Sequence, residues 1–305
     1  MLRLVASRLL GGLFVVVAVA VISFFLLRAA PGGPFDAERN PPPEVLRNIE
    51  ERYHLNDPLS EQLVSYLKGV ARLDFGHSMK RQKTVNELIA DHVSHSVTLG
   101  VMALLIATGL GIAAGVTAAW RRNTWVDHLL MAIALVGVSV PSFVLGPLFI
   151  YWLSLKLNLL PPARAETFAG YLMPALTLGL IYAGTIARLA RTGMIETLGQ
   201  DFIRTARAKG LGERTVVWKH ALRLGLIPVV TYLGPATAAL ISGSFVVEHI
   251  FQVPGLGYYF VDSVGSRDYP VLTGLLVFYV TFLVLLNLAV DIAYGFLDPR
   301  IRARR

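Results

Sequence analysis

Three neighbouring residues, Asp91, His92 and His95, carry side chains that could ligate a metal ion. The two histidines stand three residues apart, so one face of a helix would carry both imidazoles. Two histidines beside a hydrophobic segment more often serve as surface or capping residues, and we expect no metal site at this position. The chain also has no cysteine, which excludes disulfides, thiolate catalysis and cysteine-ligated metals.

The sequence motifs of self-contained enzymes and ATPases are missing. No GxxxxGK[ST] phosphate loop, HExxH zinc motif or GxSxG nucleophile motif occurs along the chain. We therefore expect no catalytic residue, and we expect the chain to bind no nucleotide of its own.

Residues 188–223 form a basic segment that is too hydrophobic for a plain solvated link. Its centre reads FIRTARAKGLGER, where helix-forming residues lead to Gly210 and Gly212, which end the helix. The small side chains of Ala206 and Ala208 allow another helix to approach closely, and basic residues surround them. Two interpretations follow: an amphipathic helix pair lying on anionic lipid, or a docking knob for a soluble partner.

Six stretches without any Asp, Glu, Lys or Arg surround this segment, each 19 to 27 residues long. About 20 apolar residues in a helix cross the hydrocarbon core of a bilayer, so six membrane-spanning helices are predicted. The mean hydropathy of +0.58 and the charged content of 16% exclude a soluble, disordered or fibrous protein, and the long stretches disfavour a β-barrel. The six stretches are residues 9–27, 97–120, 129–155, 168–187, 224–247 and 269–290.

Charge-free spans disfavour proton pumps, ion-coupled carriers and intramembrane metalloenzymes, because these place ionisable groups at membrane depth. What remains is a helical passage subunit that takes its energy from another protein. An integral-membrane enzyme stays as a remote alternative, since only scattered hydroxyls and amides lie in the spans.

The distribution of basic residues predicts the orientation. With both termini in the cytoplasm, the inside segments hold sixteen Lys and Arg residues and the two short outside loops hold three. This follows the positive-inside rule, so the net charge of +8 is a topology signal and nucleic acid is not an expected partner. The first stretch is longer than a signal-peptide core, which favours a retained anchor.

An outside segment at residues 28–96 is predicted to form short helices rather than a disordered loop. Pro43 suits the first position of one helix, Ser60 can cap a second, and Thr84 with Glu87 has the spacing of a capping box for a third.

Several motifs together resemble the permeases of binding-protein-dependent ABC importers, in particular the peptide, dipeptide and nickel subgroup. The run TARAKG at residues 205–210, followed by HALR at 220–223, resembles the EAA loop of these permeases. Arg204 and Thr205 replace the usual Glu and first Ala, and only Leu222 matches the final I-LP element; the subgroup shows the same departures. Further matches are APG (30–32), YHLNDP (53–58), DFG (74–76), FQVPGLG (251–257), RDYP (267–270) and LDPR (297–300).

The resemblance covers essentially the whole chain and is strongest to the oligopeptide permease B subunits of that subgroup. It implies an all-α fold with six transmembrane helices, divided into residues 1–27 (tail and first helix), 28–96 (outside segment) and 97–305 (permease core with the loop 188–223). It further implies a multi-pass protein of the bacterial cytoplasmic (inner) membrane with both termini cytoplasmic. The residues implied to couple the chain to an ATPase are Arg204, Thr205, Ala206, Arg207, Ala208, Lys209, Gly210, Leu211 and Gly212.

The implied partners are a second homologous permease, two cytoplasmic ATPase subunits that bind the ATP, an external substrate-binding protein and the lipid bilayer. No cofactor is implied for the chain itself. Oligopeptides are the expected cargo, with dipeptides, glutathione or nickel as alternatives of the same permease type. The charge-free spans can offer cargo only hydroxyls, amides, backbone groups and water, which predicts a weakly selective passage whose substrate-contacting residues the sequence does not reveal.

Overall fold

A computed structural model describes residues 2–29, 57–163, 165 and 167–297 of the chain. In this part the secondary structure is helical, apart from one isolated antiparallel bridge between His77 and Thr84. The predicted helix at Pro43 and the motifs at 30–32 and 298–300 lie outside the described residues, as does most of the motif at 53–58.

The described helices succeed one another along the chain with short connections. They are α1 (Leu2–Ala29), α2 (Leu59–Ala71), α3 (Val85–Trp120), α4 (Trp125–Ser139), α5 (Ser142–Phe149), the π-helix π1 (Ile150–Lys156), α6 (Phe168–Leu198), α7 (Asp201–Ala208), α8 (Glu213–Thr215), the π-helix π2 (Val216–Ala221), α9 (Leu222–Gly225), α10 (Ile227–Ile241), α11 (Phe245–Ile250), α12 (Leu256–Ser266) and α13 (Tyr269–Leu297).

Four of these helices are long and apolar enough to cross a membrane as single rods: Val5–Ala29, Val85–Trp120, Phe168–Leu198 and Tyr269–Ile292. Two further candidates are bent pairs. Trp125–Ser139 and Ser142–Lys156 meet at 106°, and Glu213–Gly225 and Ile227–Ile241 meet at 53°. The described residues are thus those of an all-helical membrane protein with four to six candidate spans.

The break in the first bent pair lies at Val140 and Pro141, between α4 and α5. Val140 has an extended backbone (φ −83°, ψ 120°), as expected for a residue that precedes proline. Pro141 then acts as the N-cap of α5 with φ −62°. One charge-free stretch therefore does not form one straight helix.

The capping box predicted at the start of the third outside helix is confirmed. The Thr84 backbone N–H donates to the Glu87 carboxylate at 2.8 Å, and the Glu87 N–H donates to the Thr84 hydroxyl at 3.1 Å. The helix that begins at this box does not end before the span predicted at residue 97. It continues as α3 to Trp120, because residues 85–99 contain neither proline nor glycine to interrupt it.

The predicted cap of the second outside helix is wrong by two residues. α2 begins at Leu59 with Pro58, not Ser60, at the N-cap. The Pro58 carbonyl accepts from the N–H groups of Glu61 and Gln62 at 2.9 and 3.1 Å, so the helix has already started when the chain reaches Ser60.

Contacts divide the chain into two compact units, Met1–His95 with Pro254–Arg305, and Ser96–Val253. In the first unit α1 packs along α13, and Gly12 lies so close to Val284 that a Cβ atom there would overlap its side chain. Arg8 pairs with Asp291 at 2.9 Å near one end of this contact. Asp268, before α13, accepts hydrogen bonds from the Ser78 hydroxyl and the Met79 N–H, which fixes the loop that precedes α3.

In the second unit α6 is the central helix. Small residues let its neighbours approach its backbone, as is common between membrane helices. A Cβ on Gly184 of α6 would overlap the Ala134 carbonyl of α4, and a Cβ on Gly115 of α3 would overlap the Ala187 carbonyl of α6. α6 therefore holds α3 and α4 at short range and carries the segment that follows its C-terminal end.

Candidate functional site

The helix at the centre of the basic segment is α7, and its sequence explains its short length and its orientation. Asp201 places a carboxylate in the first turn, where the helix dipole favours negative charge, and Arg207 places a cation in the last turn. Ile203 and Ala206 are buried while the charged residues face outwards. The helix is thus amphipathic, with one narrow apolar face.

The turn after α7 is a Schellman motif. Gly210 is in the left-handed region at φ +79°, its N–H donates to the Arg207 carbonyl at 2.9 Å, and the N–H of Leu211 donates to the Ala206 carbonyl at 3.4 Å. Glycine fits this conformation because it has no Cβ. The prediction that Gly210 ends the helix is confirmed. Gly212 instead has ordinary backbone angles (φ −64°) and begins the next helix as the N-cap of α8.

An ion pair closes the turn from the outside. Arg207 donates through Nε to Oε1 of Glu213 at 2.7 Å and through Nη2 to Oε2 at 3.3 Å. The hydrogen bond to the Glu213 carboxylate raises the pKa of Arg207 above its ordinary value. Such exposed pairs stabilise a fold by only about 0–1 kcal/mol, so the effect of this one is to set the angle between α7 and α8.

Beneath α7 lies an apolar cluster that joins it to the long helices. Ile203 is fully buried and Ala206 is 7% exposed. The other members come from α3, α6 and π2: Val116, Ala119, Met194, Val216, Val217 and Ala221. The close approach expected at Ala206 is therefore made within this chain. The expectation that Ala206 is open to a partner helix is wrong, because its side chain is already covered.

The rest of the predicted site residues form the outer surface of the segment. Arg204, Thr205, Ala208, Lys209 and Leu211 are exposed. The Thr205 hydroxyl donates to the Asp201 carbonyl at 3.0 Å, and Arg204 lies 3.4 Å from the Asp201 carboxylate. The predicted site thus divides into an outer surface, which is basic with small and apolar side chains, and the inward-facing Ala206.

The second half of the segment packs on α6 through two glycines. A Cβ on Gly193 of α6 would overlap the carbonyl of Gly225 at the end of α9. A Cβ on Gly225 would in turn lie 2.5 Å from the Met194 sulfur. The backbones therefore touch, and residues 201–225 are seated on α6 at both ends: through the apolar cluster and through this glycine contact.

A buried ion pair that sequence reasoning missed lies beside the same part of α6. Arg191 donates to both oxygens of Asp127, at 2.6 and 2.8 Å, and the Asn123 N–H donates to Asp127 at 3.0 Å. Asp127 is only 1% exposed, whereas Arg191 is 27% exposed. The pair ties the turn between α3 and α4 to α6. The available signal was an acid placed just before a charge-free stretch.

The candidate metal ligands are engaged elsewhere. Asp91 pairs with Lys83 at 2.8 Å, and Nδ1 of His92 lies 2.9 Å from the Pro254 carbonyl. The His92 and His95 rings are 6.4 Å apart. Within the described residues, no three His, Cys, Asp or Glu side chains are grouped as a metal ion would require.

Comparison with known proteins assigns the family. Residues 111–303 match the family described as "Binding-protein-dependent transport system inner membrane component", and residues 1–100 match the N-terminal family of the same systems. The chain belongs to this family. It is therefore a permease subunit, a multi-pass membrane protein and not an enzyme.

Two relatives align with this permease along its whole length. It is 43% identical over 305 residues to the oligopeptide transport system permease protein OppB of Haemophilus influenzae, covering 99% of this chain and 100% of the relative. It is 41% identical over 306 residues to the dipeptide transport system permease protein DppB of Bacillus subtilis, covering 100% and 99%. The resemblance to ABC importer permeases of the peptide subgroup is confirmed.

A solved structure has a similar fold. The permease matches a chain from the inward-facing MetNI methionine ABC transporter with a TM-score of 0.59, covering 69% of this chain and 96% of that chain. The sequence identity is only 18%, so this match bears on the fold alone. That fold is the one of an ABC importer permease.

Proposed function

We propose that this permease forms, with a second homologous permease, the transmembrane passage for oligopeptides in an ATP-driven importer. An external binding protein delivers the peptide, and two cytoplasmic ATPase subunits bind and hydrolyse the ATP, so the chain itself uses no cofactor. The observation that carries the cargo is the 43% identity to an oligopeptide permease over the full length of both chains.

The coupling element of this importer is residues 204–212. Its outer face offers Arg204 and Lys209 as charges, with Ala208 and Leu211 between them as small and apolar contacts. Its inner face is seated on α3 and α6 through the apolar cluster. A movement of a docked ATPase would therefore pass through α7 into the long helices rather than be absorbed by a loose loop.

The ion pair of Asp127 and Arg191 supports this role. It lies on α6 one turn before Met194 of the cluster, and it fixes α6 to the turn between α3 and α4. Since protein interiors are close-packed, displacement of one packed helix displaces its neighbours.

Six spans with both termini in the cytoplasm are the topology that we propose. Each of the two bent pairs then counts as one span, and the bias of sixteen basic residues inside against three in the short outside loops sets the orientation. On this topology residues 1–27 contain the tail and first span, residues 28–96 lie outside, and residues 97–305 form the permease core with the loop 188–223 inside.

Growth of a bacterium that lacks its own peptide importers and requires one amino acid tests the cargo. With this permease and its partner subunits expressed together, a tetrapeptide that contains the amino acid should support growth. Growth on the matching dipeptide alone, or uptake of glutathione or nickel without tetrapeptide uptake, would replace oligopeptides with one of those alternatives.

A further inference from the structure

A cavity of about 300 Å³ lies within the unit Ser96–Val253, between the beginnings of α5 and α11, the middle of α6 and the end of α10. This volume is at the lower end of the range of small-molecule sites, about 300–1,000 Å³. Its walls include Ser142, Tyr182, Leu240, Gly243, Ser244 and Val246.

The cavity lies at the depth of the membrane-spanning segments. Its lining residues come from the charge-free stretches 129–155, 168–187 and 224–247, so no Asp, Glu, Lys or Arg lines it. The polar side-chain groups that face it are therefore hydroxyls.

Two of those hydroxyls, on Ser142 and Tyr182, form no hydrogen bond with another described residue. The third, on Ser244, is engaged, because it accepts from the Val247 N–H at 3.4 Å and caps α11. A hydroxyl that lacks a partner away from water costs free energy, whereas each one can both donate and accept when a polar ligand arrives.

The wall opposite Ser142 is irregular backbone rather than a continuous helix. α10 ends at Ile241, Gly243 has φ +96°, and α11 begins at Phe245. Gly243 presents no side chain to the cavity, so a ligand can approach the main chain at this point. Non-helical backbone at membrane depth is tolerated where it lines a water-filled cavity or is buried in protein.

We propose that this cavity is a contact site for the main chain of the cargo peptide, with the hydroxyls of Ser142 and Tyr182 hydrogen-bonding to its amide groups. Peptide groups supply both donors and acceptors in every residue, which matches two hydroxyls and no charge. The contact reads no side chain, so it suits peptides of different sequence. A lipid acyl chain would fill the volume but leave both hydroxyls without partners. The proposal rests on the oligopeptide cargo proposed above.

The test uses the complete transporter and a photoreactive residue, p-benzoylphenylalanine, in place of Tyr182. A fluorescent tetrapeptide delivered by the binding protein should cross-link to this position during ATP-driven transport. The same residue in place of Tyr151, which is 44% exposed and does not line the cavity, should give no peptide cross-link. Cross-linking to lipid alone at position 182 would overturn the proposal.

Uptake kinetics give a second readout. Tyr182→Phe and Ser142→Ala each remove one hydroxyl, and each should raise the KM for tetrapeptide uptake about 2- to 10-fold, as expected for the loss of one hydrogen bond. Tyr151→Phe is the matched control and should leave KM unchanged. If both cavity variants keep the wild-type KM, the proposal is wrong while the proposed function stands. If the wild-type transporter takes up no tetrapeptide, the proposed function fails, and this cargo contact fails with it.

Discussion

Arg191 holds Asp127 through two hydrogen bonds, from Nε to Oδ1 at 2.6 Å and from Nη2 to Oδ2 at 2.8 Å. The residues are 64 positions apart, yet the pair fixes the start of α4 against α6. The same stretch of α6 carries Met194 in the apolar cluster under α7. The seat of the coupling element thus depends on an ion pair outside that element.

Asp127→Asn should destabilise the permease, because it leaves the Arg191 charge without its carboxylate. Breaking a buried pair costs about 3–5 kcal/mol, and the partial exposure of Arg191 lowers the expected loss to about 2–3 kcal/mol. The thermal stability of the purified transporter measures it. Asp201→Asn removes the carboxylate of an exposed pair, Asp201 with Arg204, and is the control that should change little. Equal stability of Asp127→Asn and wild type would contradict this role.

Gly210→Val should uncouple transport and leave the permease in the membrane. No atom lies within 4 Å of the added Cβ, so the effect comes from the backbone, which valine disfavours at φ +79° by about 1–2 kcal/mol. Gly212→Ala is the matched control, because its Cβ also meets nothing and its φ is ordinary. The measurement is peptide uptake together with ATPase stimulation by the loaded binding protein. Normal values for Gly210→Val would refute the assignment of the turn.

Ala206 and Ala208 separate the inner face of the coupling element from its outer face. Ala206→Glu places a carboxylate in the apolar cluster, where an unpaired charge costs several kcal/mol, and should reduce the amount of folded permease. Ala208→Glu lies on the exposed side, so the folded amount should stay normal while coupled ATPase activity falls. Quantitative blotting of membranes and ATPase assays distinguish the two. A folded, uncoupled Ala206→Glu permease would show that the cluster is not what seats α7.

The absence of cysteine makes topology directly testable, because single cysteines can be labelled without background. Arg72→Cys, on the segment proposed to lie outside, should react with a membrane-impermeant maleimide on intact spheroplasts. Arg122→Cys and Lys219→Cys should react only after lysis. Each of the three side chains is exposed, so burial does not limit the reaction. Labelling in the reverse pattern would contradict the orientation.

The features that sequence predicted well are those set by local chemistry. The end of α7 at Gly210 and the capping box of Thr84 and Glu87 depend on residues within a few positions of each other. The hydrophobic stretches depend on composition alone. Family membership followed from motifs in order, and the comparisons confirm it.

The features that sequence missed are set by packing between distant residues. Glu248 directly follows a charge-free stretch, yet it is fully buried and accepts hydrogen bonds from the Ser96 hydroxyl and the Ser244 N–H. Ala206 faces inwards because α3 and α6 lie beneath it, and neither fact is visible in the motif around it. The 106° bend after Ser139 divides a stretch whose length alone predicts one span.

The central claim is that this permease passes oligopeptides when a separate ATPase hydrolyses ATP. Its most direct test is uptake of a radiolabelled tetrapeptide into proteoliposomes that contain the whole transporter, with the binding protein outside and ATP inside. The account predicts accumulation with wild-type permease, no accumulation without ATP or without the binding protein, and strongly reduced accumulation with Gly210→Val. Accumulation that needs neither ATP nor the binding protein, or none under any condition while the ATPase is active, would contradict it.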